Sequence, residues 1–105
     1  MEIIPVINCH NIENVKEFVD KAGEFAEWIH LDVSDARFTF NKSWGDASAW
    51  PKFGKNPNLE IHLMVEEPEK EIDGWLAAGA RRIIVHLETI NEKSFSEIKK
   101  KTDNK

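Results

Sequence analysis

The stretch EWIHLDV, residues 27–33, alternates aliphatic side chains with aromatic or polar ones. The aliphatic positions are Ile29, Leu31 and Val33. His30 and Asp32 occupy the intervening positions. Successive side chains of a β-strand point to opposite faces, so the stretch predicts a strand with one aliphatic face and one face that carries an imidazole and a carboxylate.

Two further stretches repeat this design. LEIHLMV, residues 59–65, places Glu60, His62 and Met64 opposite its aliphatic residues, and RIIVHLE, residues 82–88, does the same with Ile84, His86 and Glu88. IIPVINC, residues 3–9, is a more continuous apolar run, which is typical of a strand covered on both faces. The sequence therefore predicts four strands, three of which carry a histidine on one face.

Helices are predicted between these strands. Asn11 is suited to cap a helix with an apolar face of helical spacing, and a second helix begins near Pro68 and ends at Gly79. Residues 34–58 form a long connection with a short helix over Ala47–Phe53. Residues 94–101 begin a last helix, whose lysine run and polar end predict fraying.

The alternation of strands and helices predicts an α/β fold with a parallel sheet and right-handed crossovers. No glycine-rich phosphate loop follows the first strand, so a dinucleotide-binding fold has no support. A (βα)8 barrel of the TIM type takes about 250 residues. We therefore predict one domain over residues 1–105, a (βα)4 half of such a barrel. Its open edges and polar face predict a homodimer that completes the barrel.

Composition and charge limit the kinds of partner and the cellular location that the sequence predicts. The net charge of −5, with no basic stripe, argues against nucleic acid as a partner. There is no apolar run near the roughly 18 residues that a membrane span needs, and no signal-peptide pattern at the N-terminus. Cys9 is the single cysteine and cannot form an internal disulfide. These features predict a cytoplasmic protein without a membrane segment.

The polar face of the predicted sheet is suited to a metal ion. His30, Asp32 and His62 share this face in two strands expected to lie about 4.8 Å apart. Two neutral imidazoles and one carboxylate suit divalent Zn, Fe or Mn and leave positions open for substrate oxygens. His86 is a candidate fourth group or a partner that orients a ligand. The alternative is that each histidine only fills the interior of the fold.

Several of these motifs resemble the ribulose-phosphate 3-epimerase family. IHLDVSDARFTFNKSWG, residues 29–45, is similar to its second-strand signature, IHLMVEEPE, residues 61–69, to its third, and GARRIIVHLET, residues 79–89, to its fourth strand. IIPVINC resembles its first strand. The resemblance covers nearly the whole chain but only the N-terminal half of the family's barrel. Ala36 and Phe40 depart from the glycine and proline of the pattern.

The resemblance implies roles for individual residues and a sugar-phosphate ligand. His30, Asp32 and His62 match metal ligands of the family, and Asp32 also matches one of its two acid/base aspartates. Cys9 and Met64 match positions that line the substrate. In the family, the second aspartate and the phosphate-holding loops come from the other half of the barrel, so a single copy is expected to lack the complete site.

Three interpretations of function follow. The first is a half-barrel that self-associates into a (βα)8-like barrel and binds a divalent metal, with epimerase activity absent or incomplete. The second is an active, metal-dependent pentulose-phosphate 3-epimerase that works as a homodimer or with a separate C-terminal half. The third is a purely structural folding unit in which the polar residues are relics.

Overall fold

The computed structural model describes residues 3–35, 43, 45–52 and 58–103. Within them lies a parallel four-stranded sheet of order β1-β2-β3-β4, with helices between the strands. The strands are β1 (Val6–Ile7), β2 (Trp28–Ser34), β3 (Asn58–Met64) and β4 (Ala80–Val85). The helices are α1 (Ile12–Ala22), α2 (Ile72–Ala77) and α3 (Glu92–Asp103), with 3-10 turns at Ala47–Lys52, Pro68–Lys70 and Leu87–Thr89. The predicted parallel α/β fold is confirmed.

The two faces of β2 and β3 differ as the alternation predicts. One face, which we call the core face, is fully buried and carries Ile29, Leu31, Val33, Leu59, Ile61 and Leu63. Helices α1 and α2 cover it with buried side chains that include Val15, Val19, Ile72 and Trp75. The opposite face, which we call the site face, is half-buried along both strands. The hydrophobic core therefore lies on one side of the sheet and the polar side chains on the other.

Helices α1 and α2 end as the sequence predicts. The backbone N–H of Asn14 donates to Asn11 Oδ1 at 2.9 Å, which confirms Asn11 as the cap of α1. Gly79 follows α2 with φ of +100°, a backbone conformation that residues with a Cβ rarely adopt. The glycine thus allows the chain to turn directly from α2 into β4.

The last helix is longer than the predicted range 94–101, and its predicted fraying stays a prediction. α3 begins at Glu92, where Asn91 and Ser94 form reciprocal backbone-to-side-chain hydrogen bonds of 2.8 Å, and it continues to Asp103. Lys101 Nζ donates to the backbone oxygen of Glu69 at 3.2 Å and lies 3.2 Å from a carboxylate oxygen of Asp73. Lys101 therefore links the C-terminal end of α3 to the Pro68–Lys70 turn and to the start of α2.

Other element ends also differ from the prediction. Only Val6–Ile7 of the stretch 3–9 pairs as a strand, and Pro68 opens a 3-10 turn ahead of α2. β4 stops at Val85, because the main-chain N–H and the hydroxyl of Thr89 both bind the backbone oxygen of His86 and close a 3-10 turn. The short helix predicted over 47–53 is a 3-10 helix over Ala47–Lys52. Phe53 and the departures at Ala36 and Phe40 lie outside the described residues.

The sheet has two open edges in the part of the chain that is described. β1 pairs with β2 alone, and β4 with β3 alone. Exposed apolar side chains lie at or near these edges: Ile3 and Val6 beside β1, and Ile84 and Leu87 at and beyond β4. Across the same described ranges, no helix has the length and apolar character to span a membrane. The cytoplasmic location stays a prediction.

Candidate metal centre

The register of β2 against β3 brings the polar side chains of the site face together. His30 pairs with Glu60 and Asp32 pairs with His62 along this parallel ladder. Since residues two apart in a strand share a face, the four side chains form a compact square on the site face. Each is between 13% and 22% exposed. The cluster is therefore shielded by protein while still open to a small solute.

Asp32 contacts both histidines of this square. His30 Nε2 is 2.8 Å and His62 Nδ1 is 3.0 Å from the same oxygen, Oδ1 of Asp32. The two imidazole rings meet edge to face, with centroids 5.5 Å apart. Two ring nitrogens and one carboxylate oxygen thus converge from three side chains, as the sequence predicts for His30, Asp32 and His62.

This donor set fits a divalent metal ion. One ligand atom from each of the three residues lies within 4.8 Å of the others. Metal bonds to imidazole nitrogen and carboxylate oxygen are about 2.0–2.2 Å long, so ligands of one ion lie roughly 3 Å apart or slightly more. The 2.8 and 3.0 Å separations are close to that spacing. Two imidazoles and a carboxylate are also the donor types that Zn, Fe and Mn accept.

His86 extends the cluster on the far side of His62. Its Nε2 is 2.7 Å from His62 Nε2, and the two rings stack with centroids 4.9 Å apart. A carboxylate oxygen of Glu88 lies 3.7 Å from His86 Nδ1. Because His62 presents its Nδ1 to Asp32 and its Nε2 to His86, His86 is placed to orient His62 rather than to join the same three ligand atoms.

Glu60 and Asn8 contact the cluster, although the sequence pattern predicts no role for either residue. Glu60 Oε1 is 2.6 Å from His30 Nδ1, and Asn8 Nδ2 donates to Asp32 Oδ2 at 3.5 Å. The alternation of residues 59–65 places Glu60 on the same face as His62, so the sequence does indicate that Glu60 lies on the site face. What the alternation does not give is the register between strands, which makes Glu60 the direct neighbour of His30.

The two predicted substrate-binding residues lie in different surroundings. Met64 ends β3 on the site face, two residues beyond His62, and is half-buried. Cys9 follows β1, and its half-buried side chain packs against the hydrophobic core, while the neighbouring Asn8 reaches Asp32. The substrate roles of Met64 and Cys9 stay predictions.

Comparison with known proteins points to one family. Residues 2–103 match the model of the "Ribulose-phosphate 3 epimerase family". A ribulose-phosphate 3-epimerase of Synechocystis sp. is 44% identical over 72 residues, which are 67% of this chain and 30% of that protein. The chloroplastic ribulose-5-phosphate-3-epimerase of Arabidopsis thaliana is 38% identical over 90 residues, 82% of this chain and 31% of that protein. The matched segment thus spans about a third of these relatives.

Proposed function

Since this chain belongs to the ribulose-phosphate 3-epimerase family, we propose that it is a metal-binding half-barrel whose His30, Asp32 and His62 hold a divalent ion. The observation that carries the proposal is the convergence of His30 Nε2 and His62 Nδ1 on one oxygen of Asp32, at 2.8 and 3.0 Å. Zn, Fe and Mn all suit this donor set. A divalent ion there would stabilise negative charge on a bound substrate oxygen.

The first test is metal-dependent stability of the unaltered chain. An ion that binds only the folded state at 100 times its Kd stabilises it by about 2.7 kcal/mol. For a domain of this size, that corresponds to a rise in Tm of about 10 °C or more. We expect such a rise when Zn²⁺, Mn²⁺ or Fe²⁺ is added to chelator-treated protein, measured by circular dichroism. An unchanged Tm with all three ions would contradict the proposal.

We further propose that a second copy of the chain completes the barrel. β1 and β4 are both edge strands within the described residues, and the sheet is parallel throughout. A two-fold axis that sets β4 of one copy beside β1 of the other would therefore continue the sheet with the same strand direction. The pairing would also cover the exposed Val6 and Ile84 and would enclose the site face. An exposed edge strand presents unpaired backbone N–H and C=O groups that can pair with a strand of another chain, which supports this arrangement.

We expect the chain to be a dimer at micromolar concentration and a lysine at the β1 edge to dissociate it. Val6 is 61% exposed on β1, so Val6→Lys would place a charge in the new strand pair with little cost to the single copy. Size-exclusion chromatography with light scattering should give about twice the 12.1 kDa mass of one chain for the unaltered protein and one chain mass for Val6→Lys.

The matched control is Phe25→Lys, because Phe25 is 73% exposed and lies between α1 and β2, away from both edge strands. This variant should remain dimeric. A folded monomer for the unaltered chain, or the same mass for both variants, would be inconsistent with pairing of β4 and β1 between copies.

We propose that one copy binds the ion and that any epimerisation belongs to the closed assembly. Inversion at a carbon needs proton transfer on both sides of that carbon, so it needs two positioned acid/base groups. Asp32 supplies one such group on the site face, and Met64 lies two residues beyond His62 on the same face. In the closed assembly, Asp32 would exchange the proton on one side of a sugar phosphate.

A further inference from the structure

His30 lies between two carboxylates, and only one of them belongs to the three-residue cluster. Its Nε2 is 2.8 Å from Asp32 Oδ1, and its Nδ1 is 2.6 Å from Glu60 Oε1. The side chains of His30 and Glu60 are 14% and 13% exposed. The Glu60 contact is thus short, shielded from solvent and on the edge of the ring opposite to the edge that faces Asp32.

From this arrangement we infer that Glu60 is a positioning residue for the metal centre, and the inference rests on the metal binding proposed above. An ionised carboxylate only accepts hydrogen bonds, so when His30 Nε2 binds an ion, the ring hydrogen of neutral His30 lies on Nδ1 and Glu60 accepts it. The lone pair of that imidazole then lies on Nε2, the nitrogen that faces Asp32. Glu60 therefore selects the tautomer that can bind the ion and prevents the ring from turning away.

The position of Glu60 excludes it as a further ligand of the same ion. His30 separates it from Asp32, because the two carboxylates contact opposite nitrogens of one ring. Glu60 Oε1 accepts the hydrogen bond from His30 Nδ1. Carboxylates that orient metal-bound histidines in other proteins make the same kind of contact. Glu60 contributes through the geometry and basicity of His30.

Glu60 also has a cationic neighbour on β4. Arg82 pairs with Glu60 in the strand register, and its Nη1 lies 3.7 Å from Glu60 Oε2. The guanidinium of Arg82 lies over the indole of Trp28, 4.2 Å from the ring centroid. Trp28 lies on β2, two residues before His30. Arg82 therefore connects Glu60 to the strand that carries the proposed metal ligand His30. The second oxygen of the Glu60 carboxylate therefore faces a cation while the first contacts His30.

The test is a calorimetric titration of chelator-treated protein with Zn²⁺ and Mn²⁺. We expect Glu60→Ala, which removes the acceptor, to weaken binding up to about 100-fold, and Glu60→Gln, which keeps an acceptor but loses the charge, about 10-fold. Glu27→Gln is the matched control, since Glu27 is exposed and precedes β2. It should bind both ions as the unaltered chain does. Circular dichroism checks that all variants are folded.

A double-mutant cycle separates positioning from a general structural effect. If Glu60 acts through His30, then Glu60→Ala costs nothing further in metal affinity once His30→Gln is present. Unaltered affinity in Glu60→Ala, or the same loss in both backgrounds, would overturn the inference while metal binding itself stands. Failure of the unaltered chain to bind either ion would overturn the proposed function and this inference with it.

Discussion

Replacement of Asp32 by asparagine should abolish most of the metal binding of this chain. Asp32 Oδ1 is the atom that both His30 Nε2 and His62 Nδ1 approach, at 2.8 and 3.0 Å. Asp32→Asn keeps the shape of the side chain but removes the one negative charge among the three ligands, and a neutral amide oxygen is a weaker ligand for Zn²⁺. We expect a loss in affinity of at least about 100-fold, or about 2.7 kcal/mol.

The loss is visible in thermal unfolding as well as in direct titration. At a zinc concentration 100 times the Kd of the unaltered chain, a 100-fold weaker variant is only half saturated and gains about 0.4 kcal/mol instead of about 2.7. Its Tm should therefore scarcely move. Asp20→Asn, an exposed position on α1, makes the same chemical change away from the site and should keep the full shift. An undiminished shift in Asp32→Asn would argue against Asp32 as a ligand.

The strand faces are the part of this molecule that the sequence predicts best. Alternation places Ile29 and Leu31 on one face and His30 and Asp32 on the other, and both assignments hold in the structure. The physical reason is local, because side-chain direction in a strand depends only on position. The predicted cluster of His30, Asp32 and His62 follows from two such faces and a parallel pairing of their strands.

What the sequence does not predict depends on specific hydrogen bonds and ion pairs, two of which join residues that are distant in sequence. Glu60 becomes a partner of His30 only through the register of β3 on β2, which alternation leaves open. The end of β4 depends on Thr89, which binds the backbone of His86 and stops a pattern that continues in sequence to residue 88. The contact of the last turn of α3 with the preceding segment is made by Lys101, which reaches the backbone oxygen of Glu69 and the carboxylate of Asp73. The contacts of Glu60 and Lys101 are tertiary, whereas the Thr89 contact is a local turn that the strand pattern does not reveal.

The buried pair of Trp50 and Trp75 gives the largest stability effect that we expect. Trp75 on α2 is 0% exposed, and its ring meets that of Trp50 edge to face at 6.3 Å between centroids. Removal of a buried tryptophan side chain typically costs about 3–5 kcal/mol through lost burial and the cavity left behind. Native domains are stable by only about 5–15 kcal/mol, so Trp75→Ala should remove a large share of the free energy of unfolding.

Substitution of Trp75 by phenylalanine separates the packing contribution of the ring from the cost of burying the indole N–H. The indole Nε1 of Trp75 has no hydrogen-bond partner among the described residues, and such a buried N–H costs stability. Trp75→Phe removes that group and keeps an aromatic ring against Trp50, so we expect it to lose less than half of what Trp75→Ala loses. Urea unfolding followed by circular dichroism measures both. Equal losses would show that Phe cannot fill the space. A loss below about 1 kcal/mol in Trp75→Ala would show that α2 does not close the core beneath the strands that carry Asp32 and His62.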